Sequence, residues 1–552
     1  MQISSKGAAC NSRYAIWIPQ SPPAAGEVLS RLSQRIKVAS SKRLFWSLQC
    51  IIGLEKLFSR RKSNQNDSVP FTWPYRLGGP GPRDSKSIAS ILINSKIAPS
   101  LALNHLHHHH HRSRSFNQNH LDTMSSDSVN PSERTQVELN KGLDCWSVFS
   151  PASGLVPKDS LNLGQGFMNW GPPEFMKQAA KDALEDIPSN HYSVPKGRIR
   201  LRKALSDHYS NEFNLGRPLD HESEIIVTSG ANFGIYSTMM AFCASGDEVI
   251  LMEPFFDQYV RNVTFCDGKP VYVPLRPPPN ASRQNVSSKE WKLNINDLKA
   301  AITPKTKIII LNTPHNPIGK VFDKEELQAI GEVAEQHNLL IIADEVYDCL
   351  TFDEPHTRIA SLSPSLWNRT VTVGSAGKSF AATGWRLGWC IGPSELIRPI
   401  TAVGTRTTFC SVGPLQEAVA TGFELANEKK FFEIQRDQYK ARRDLLLGYL
   451  DLLGLPYTVP DGSYFVLVES TRIEIPEDFE IIDLVKPRPR DWHMCWFIAK
   501  VAGVVCIPPS DFYSPEHLSI GQNFVRIAFC KDIKTLKEAG EKLQNLKPFI
   551  KM

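Results

Sequence analysis

The stretch Ser375-Ala376-Gly377-Lys378-Ser379-Phe380-Ala381-Ala382-Thr383-Gly384-Trp385-Arg386-Leu387-Gly388-Trp389 follows directly on the apolar run at 370–373. It sets an amine on a turn at a strand end, with a hydroxyl three residues before it and a guanidinium eight after. Such an amine can form a Schiff base with an aldehyde cofactor, and the hydroxyl and guanidinium can hold a phosphate. Read alone, the run suits an exposed turn lysine equally well. Tether, phosphate anchor and rigid ring position are together what pyridoxal phosphate requires, so the flanking chain must supply a ring site.

Working outward, short apolar runs at 224–228, 248–252, 270–274, 307–311, 339–343, 370–373 and 387–391 alternate with helix-length segments. One of these, 324–337, has Asp323 placed to cap it. Several runs are apolar throughout, as strands covered on both faces should be. The alternation predicts an α/β fold around a mostly parallel, seven-stranded sheet, with functional groups at the carboxyl ends of its strands. From about residue 414 the pattern turns helical, over 415–453. Alternating segments at 463–468, 503–507 and 524–529 and a last amphipathic helix follow, which predicts a smaller α+β domain. The Pro-, Asn- and Ser-rich stretch 276–289 predicts a surface loop.

The strand ends carry matching groups. Thr228-Ser229-Gly230-Ala231-Asn232 leads into a helix whose first N–H groups, chiefly those of Ala231 and Asn232, form an anion site. Glu253-Pro254-Phe255-Phe256-Asp257-Gln258-Tyr259 offers two aromatics, one for the core and one to stack on a flat ring. Asn312-Thr313-Pro314-His315-Asn316-Pro317 is a stiff polar turn whose Asn316 amide can donate to a phenolate oxygen. Asp344-Glu345-Val346-Tyr347 ends a buried strand in a carboxylate, which needs a cationic partner. A protonated pyridine nitrogen or a structural arginine meets that need. Tyr347 can bond the phenolic oxygen.

These segments, in this order, resemble the fold-type I, class I aminotransferases. Leu163-Gly164-Gln165-Gly166-Phe167, Glu-Pro-Phe-Phe-Asp and the lysine run look most like the kynurenine aminotransferase and glutamine transaminase K group, over roughly residues 135–552. The resemblance makes Lys378 the Schiff-base lysine and proton carrier, with Asp344 on the pyridine nitrogen and Asn316 and Tyr347 beside the ring oxygen. Phe256 would stack on the ring, Phe255 being the lesser candidate. Ser375, Arg386 and the Gly230, Ala231, Asn232 turn would bind the phosphate of pyridoxal 5'-phosphate. Tyr192 matches a tyrosine lent to the neighbouring subunit's phosphate, which implies a homodimer. Arg526 matches the clamp on the substrate α-carboxylate, joined by Asn316 and the backbone of Gly166. Gly-Phe-Met-Asn-Trp at 166–170 departs from the usual Gly-Phe-Pro-Asp-Phe and bears on side-chain specificity. The aromatics Phe167, Trp170, Tyr192 and Phe256, near the entrance, favour large or apolar substrates such as kynurenine, phenylalanine, methionine or glutamine, though Trp170 suits an interface or core position equally well. The implied reaction is transamination with a 2-oxo acid. Cysteine-S-conjugate β-elimination is an alternative within the same chemistry.

Charge divides the chain. Residues 1–124 carry 17 Lys+Arg against 5 Asp+Glu, while the remainder carries 46 against 52. The body is therefore mildly acidic, with nothing to suit a polyanion or nucleic acid. A ligand-sensing regulator would need a helix-turn-helix in the head, whose proline content argues against it. Composition makes 1–124 a disordered extension, a transit peptide, or sequence upstream of translation from Met124. The resemblance assigns 125–170 to an arm joining the small domain, 171–413 to the large cofactor-binding domain and 414–552 to the small one. The eleven cysteines show no paired or metal-ligand spacing, which points to reduced thiols. No apolar run reaches the roughly 18 residues of a membrane span. A cytoplasmic or mitochondrial location, with no metal and no membrane partner, is the expectation.

Overall fold

Strand β1 (Ile225–Thr228) borders a sheet that continues with β2 (Glu248–Glu253), β3 (Lys269–Arg276), β4 (Lys292–Leu293), β5 (Thr306–Asn312), β6 (Leu340–Asp344), β7 (Thr370–Ser375) and β8 (Gly388–Ile391). This computed structural model describes residues 129–551. The readings placed on 1–124 lie outside the described residues.

The spatial order is β1-β8-β7-β6-β5-β2-β3-β4. Pairs from β7 through β6, β5 and β2 to β3 are parallel, whereas β8 runs antiparallel to both its neighbours and β4 antiparallel to β3. The sheet is thus mostly parallel, with eight strands where seven were expected. The extra strand has two residues, too few for any periodic signal.

Central strands are apolar because both faces are covered. Ile308 and Ile310 of β5 enter one core with Ile235 and Met239, while Ile309 and Leu311 enter another with Leu327 and Ile330. The first cover is α1 (Ala231–Phe242) and the second is α2 (Lys324–Gln336). Asp323 caps α2 as expected: its carboxylate accepts from the Glu326 N–H at 2.7 Å.

Two expectations need correction. The 276–289 stretch is not simply a surface loop, since Ala281, Val286 and Ser288 are buried and Val286 pairs with Thr458. Its polar composition hides two inward-facing apolar residues. The helical run at 415–453 is two helices, α3 (Gly413–Ala426) and α4 (Phe431–Asp451), separated where Lys430 takes a left-handed φ of 48°.

Strands β9 (Phe465–Glu469) and β10 (Phe524–Ala528) form a separate antiparallel pair with Leu467 opposite Arg526. Leu161–Asn162 pairs in parallel with Val504–Val505, and Ala528 donates to the Leu163 carbonyl at 2.7 Å. That ties the segment carrying Gly164 and Gly166 to β10. Among the described residues no helix is long and apolar enough to cross a membrane.

Candidate active site

The sheet order places the chemistry-bearing turns along one edge. Gly388 stands opposite both Thr228 and Ser375, Asp344 opposite Val373, and Asn312 opposite Asp344. The turns after β1, β2, β5, β6 and β7, and the run into β8, therefore meet at the carboxyl end of the parallel strands. A cavity of about 230 Å³ opens there.

Asp344 forms part of its floor. The Tyr259 phenol donates to one carboxylate oxygen, and the Val346 N–H approaches the other at 3.4 Å. Burial pushes this carboxyl up to about 6, against which the Tyr259 bond pulls down. The Asn312 side chain fixes the turn, donating to the Asp344 carbonyl at 2.9 Å while accepting from the Asn316 N–H at 2.7 Å. Tyr347 and Asn316 both face the cavity. Burial raises the Tyr347 phenol well above its ordinary value.

Lys378 reaches into the same space. Its Nζ donates to the Tyr464 hydroxyl at 2.8 Å and to the Gly166 carbonyl at 3.1 Å. Desolvation pushes the amine down to about 8, which brings the neutral, nucleophilic form within reach at ordinary pH.

An anion cradle lies beside it. The N-terminus of α1 brings Ala231 and Asn232, whose N–H groups have no acceptor within the helix, to the cavity wall, where Ser375 and Arg386 also stand. Gly230 has φ +94°, and a Cβ there would lie 2.4 Å from the Arg386 Nη2. Only glycine leaves the guanidinium this close to the helix start.

Arg526, which also lines the cavity, is 1% exposed. Its guanidinium donates to the Asn316 side-chain oxygen at 3.0 Å and the Gly164 carbonyl at 2.6 Å, and it lies 4.4 Å from the Phe465 ring centre. Its Nε has no partner among the described residues. A buried guanidinium whose neighbours are neutral is a receptor for a carboxylate.

The cavity gathers most of the residues read from the sequence: Gly166, Ala231, Asn232, Phe256, Asn316, Asp344, Tyr347, Ser375, Lys378, Arg386 and Arg526. Phe256 faces it, whereas Phe255 sits in the core, stacked on Tyr272. Tyr192 does not reach it within this chain: it is 87% exposed and packs edge-on against Phe409. Phe167 and Trp170 do not line it either. Phe167 is half-exposed beneath the Lys531 ammonium, and Trp170 packs on Tyr439 and Arg442. The additional aromatic walls are Trp146, Tyr259 and Phe465. Tyr259 was legible as the residue three beyond Phe256 on the same turn. Trp146 gave no signal, because it comes from a segment outside the strand–helix alternation.

These groups fit pyridoxal phosphate. They comprise an amine of lowered basicity, a buried carboxylate with no ammonium or guanidinium partner among the described residues, and an anion cradle that a Cβ would fill. Comparison with known proteins agrees. Residues 158–543 match the family profile described as aminotransferase class I and II. The chain is 43% identical over 420 residues to the "probable kynurenine–oxoglutarate transaminase" of Saccharomyces cerevisiae, covering 74% of this chain and 94% of that one. It is 42% identical over 427 residues to the kynurenine–oxoglutarate transaminase of Dictyostelium discoideum, covering 76% and 96%. Among solved structures, Bna3p of Saccharomyces cerevisiae superposes with a TM-score of 0.74 at 42% identity, over 77% of this chain and all of that one.

Proposed function

Because the chain belongs to the class I and II aminotransferase family, we propose that it transfers an amino group from kynurenine, or a similarly large amino acid, to a 2-oxo acid such as 2-oxoglutarate. The observation that carries this reading is that Lys378, Asp344 and Arg526 face one aromatic-walled cavity. The relatives' names supply the substrate pair.

Pyridoxal phosphate held here supplies an aldehyde for amine exchange and a ring that draws electrons from the substrate's Cα–H bond. Asp344 meets the positive charge of the ring nitrogen, while Asn316 and Tyr347 attend its phenolic oxygen. Ser375, Arg386 and the Ala231 and Asn232 N–H groups take the phosphate. Arg526 and the Gly166 backbone hold the substrate carboxylate, and that grip presents the Cα–H to Lys378. The Lys378 amine, neutral above about pH 8, would take the proton from the substrate Cα and deliver it to the former aldehyde carbon of the cofactor.

A homodimer is part of the same reading. Tyr192 is exposed against the equally exposed Phe409, and Ile187, Val194 and Val412, near them in sequence, are exposed too; such apolar side chains suit a second copy, which would take Tyr192 to its phosphate.

The test is a steady-state panel of amino donors against 2-oxoglutarate and pyruvate, with kynurenine followed as kynurenic acid. Turnover of kynurenine, lost together with the visible absorbance band in Lys378→Ala, supports the reading. An active Lys378→Ala variant, or no turnover with any donor–acceptor pair, refutes it.

A further inference from the structure

The Tyr464 hydroxyl is the partner of Lys378 that the sequence did not announce. It donates to the Gly166 carbonyl at 2.7 Å and receives the Lys378 amine at 2.8 Å, while the amine also reaches that carbonyl at 3.1 Å. The three groups close a triangle. A tyrosine hydroxyl has one proton to give, and spending it on Gly166 leaves its lone pairs turned to the amine.

The ring is held firmly. Tyr464 is fully buried, lying 6.1 Å from the near-parallel Tyr439 ring and meeting Tyr347 edge-on at 5.1 Å. The preceding Ser463 takes φ +57°, and its hydroxyl is tied to the His315 carbonyl at 3.2 Å. Non-glycine residues enter that region at a cost, and here the strain points the next side chain at the reacting amine.

We propose that Tyr464 is a positioning residue for Lys378: with Gly166 it forms a two-acceptor seat that fixes where the free amine rests and which way it faces. The seat links the lysine to the Gly164–Gly166 segment beside Arg526, so that proton carrier and carboxylate clamp share one support. The inference rests on the assignment of Lys378 as the reacting amine.

The experiment measures the Lys378 titration midpoint in the full chain stripped of cofactor, by cyanate labelling at graded pH and peptide mass spectrometry. The wild-type midpoint is expected near 8. Tyr464→Phe keeps the ring and removes the hydroxyl, so the ammonium form loses an acceptor and the midpoint falls by about one pH unit. In the holoenzyme the same variant loses roughly tenfold in kcat with KM within about twofold. Tyr439→Phe is the control. It removes a neighbouring buried hydroxyl that has no partner among the described residues, and should leave the midpoint in place. An unmoved midpoint in Tyr464→Phe, or an equal shift in Tyr439→Phe, overturns the proposal. Failure of the wild type to transaminate instead strikes the functional reading and leaves the midpoint readable.

Discussion

The Tyr259 phenol donates its hydrogen bond to the Asp344 carboxylate, so a neutral donor holds a buried acid whose ordinary value of 3.8 has risen to about 6. Tyr259 comes from the first turn of the helix Gln258–Phe265 that follows β2 and Asp344 from the end of β6, with β5 lying between those strands. A neutral partner stabilises the carboxylate without cancelling its charge, which leaves it free to meet a cation.

That arrangement makes the cofactor-free protein sensitive to pH. Between about pH 4 and 6 folded Asp344 keeps a proton that the unfolded chain has released, so stability falls as pH rises through this window. The displacement corresponds to roughly 3 kcal/mol above pH 6. Asp344→Asn should therefore stabilise the cofactor-free chain at pH 7.5 by an amount of that order and change little at pH 4. Cofactor binding and turnover should collapse in the same variant. Urea melts at the two pH values and cofactor titration measure both effects.

Arg526 gives a cleaner test of substrate binding. Arg526→Lys keeps the charge but loses the planar fork shared between Asn316 and Gly164 and the contact with Phe465. We expect kcat/KM to fall roughly a hundredfold for amino and oxo acids alike, with the absorbance of bound cofactor unchanged. A loss confined to one substrate would show that the arginine reads the side chain instead.

Gly230→Ala probes the phosphate cradle. The new Cβ would sit 2.4 Å from Nη2 and 2.9 Å from Cζ of Arg386, at a φ that alanine adopts poorly. Displacing the guanidinium should weaken pyridoxal phosphate binding by about tenfold or more, measured by fluorescence titration. Pyridoxal without its phosphate should bind the variant and the wild type alike.

Behind the site, Arg358 is 3% exposed and donates to Glu345, to Asp348 at 2.7 Å and to Glu212 at 2.8 Å. It braces the turn that carries Asp344 and Tyr347. Arg358→Met leaves Glu345 and Asp348 without this cation and should cost about 3–5 kcal/mol in denaturant unfolding. If the cost stays below about 1 kcal/mol, the buried ion pairs are not what hold the turn.

Much of this protein was determined by its sequence alone. Strands β1, β2, β3, β5, β6, β7 and β8 were legible as short apolar runs separated by helix-length segments, several of them apolar on both faces. The chemistry was legible because each buried strand hands a polar group to the turn that follows. Lys378, Asp344 and Asn316 could be named in this way, since a lysine or a carboxylate beside a buried strand needs a reason to be there, and Arg386 by its spacing from Lys378. Arg526 lies inside β10 and was named only through the family resemblance. Only the tertiary structure decided which side chains close the space around them. Trp146, Phe465 and Tyr464 arrive from segments far along the chain, and no local period marks an aromatic as cavity wall rather than core. For the same reason Phe167 and Trp170 looked like wall residues and lie elsewhere. The partner of the Lys378 amine depends on a left-handed residue at Ser463 and on the pairing of Leu161–Asn162 with Val504–Val505, both consequences of long-range packing.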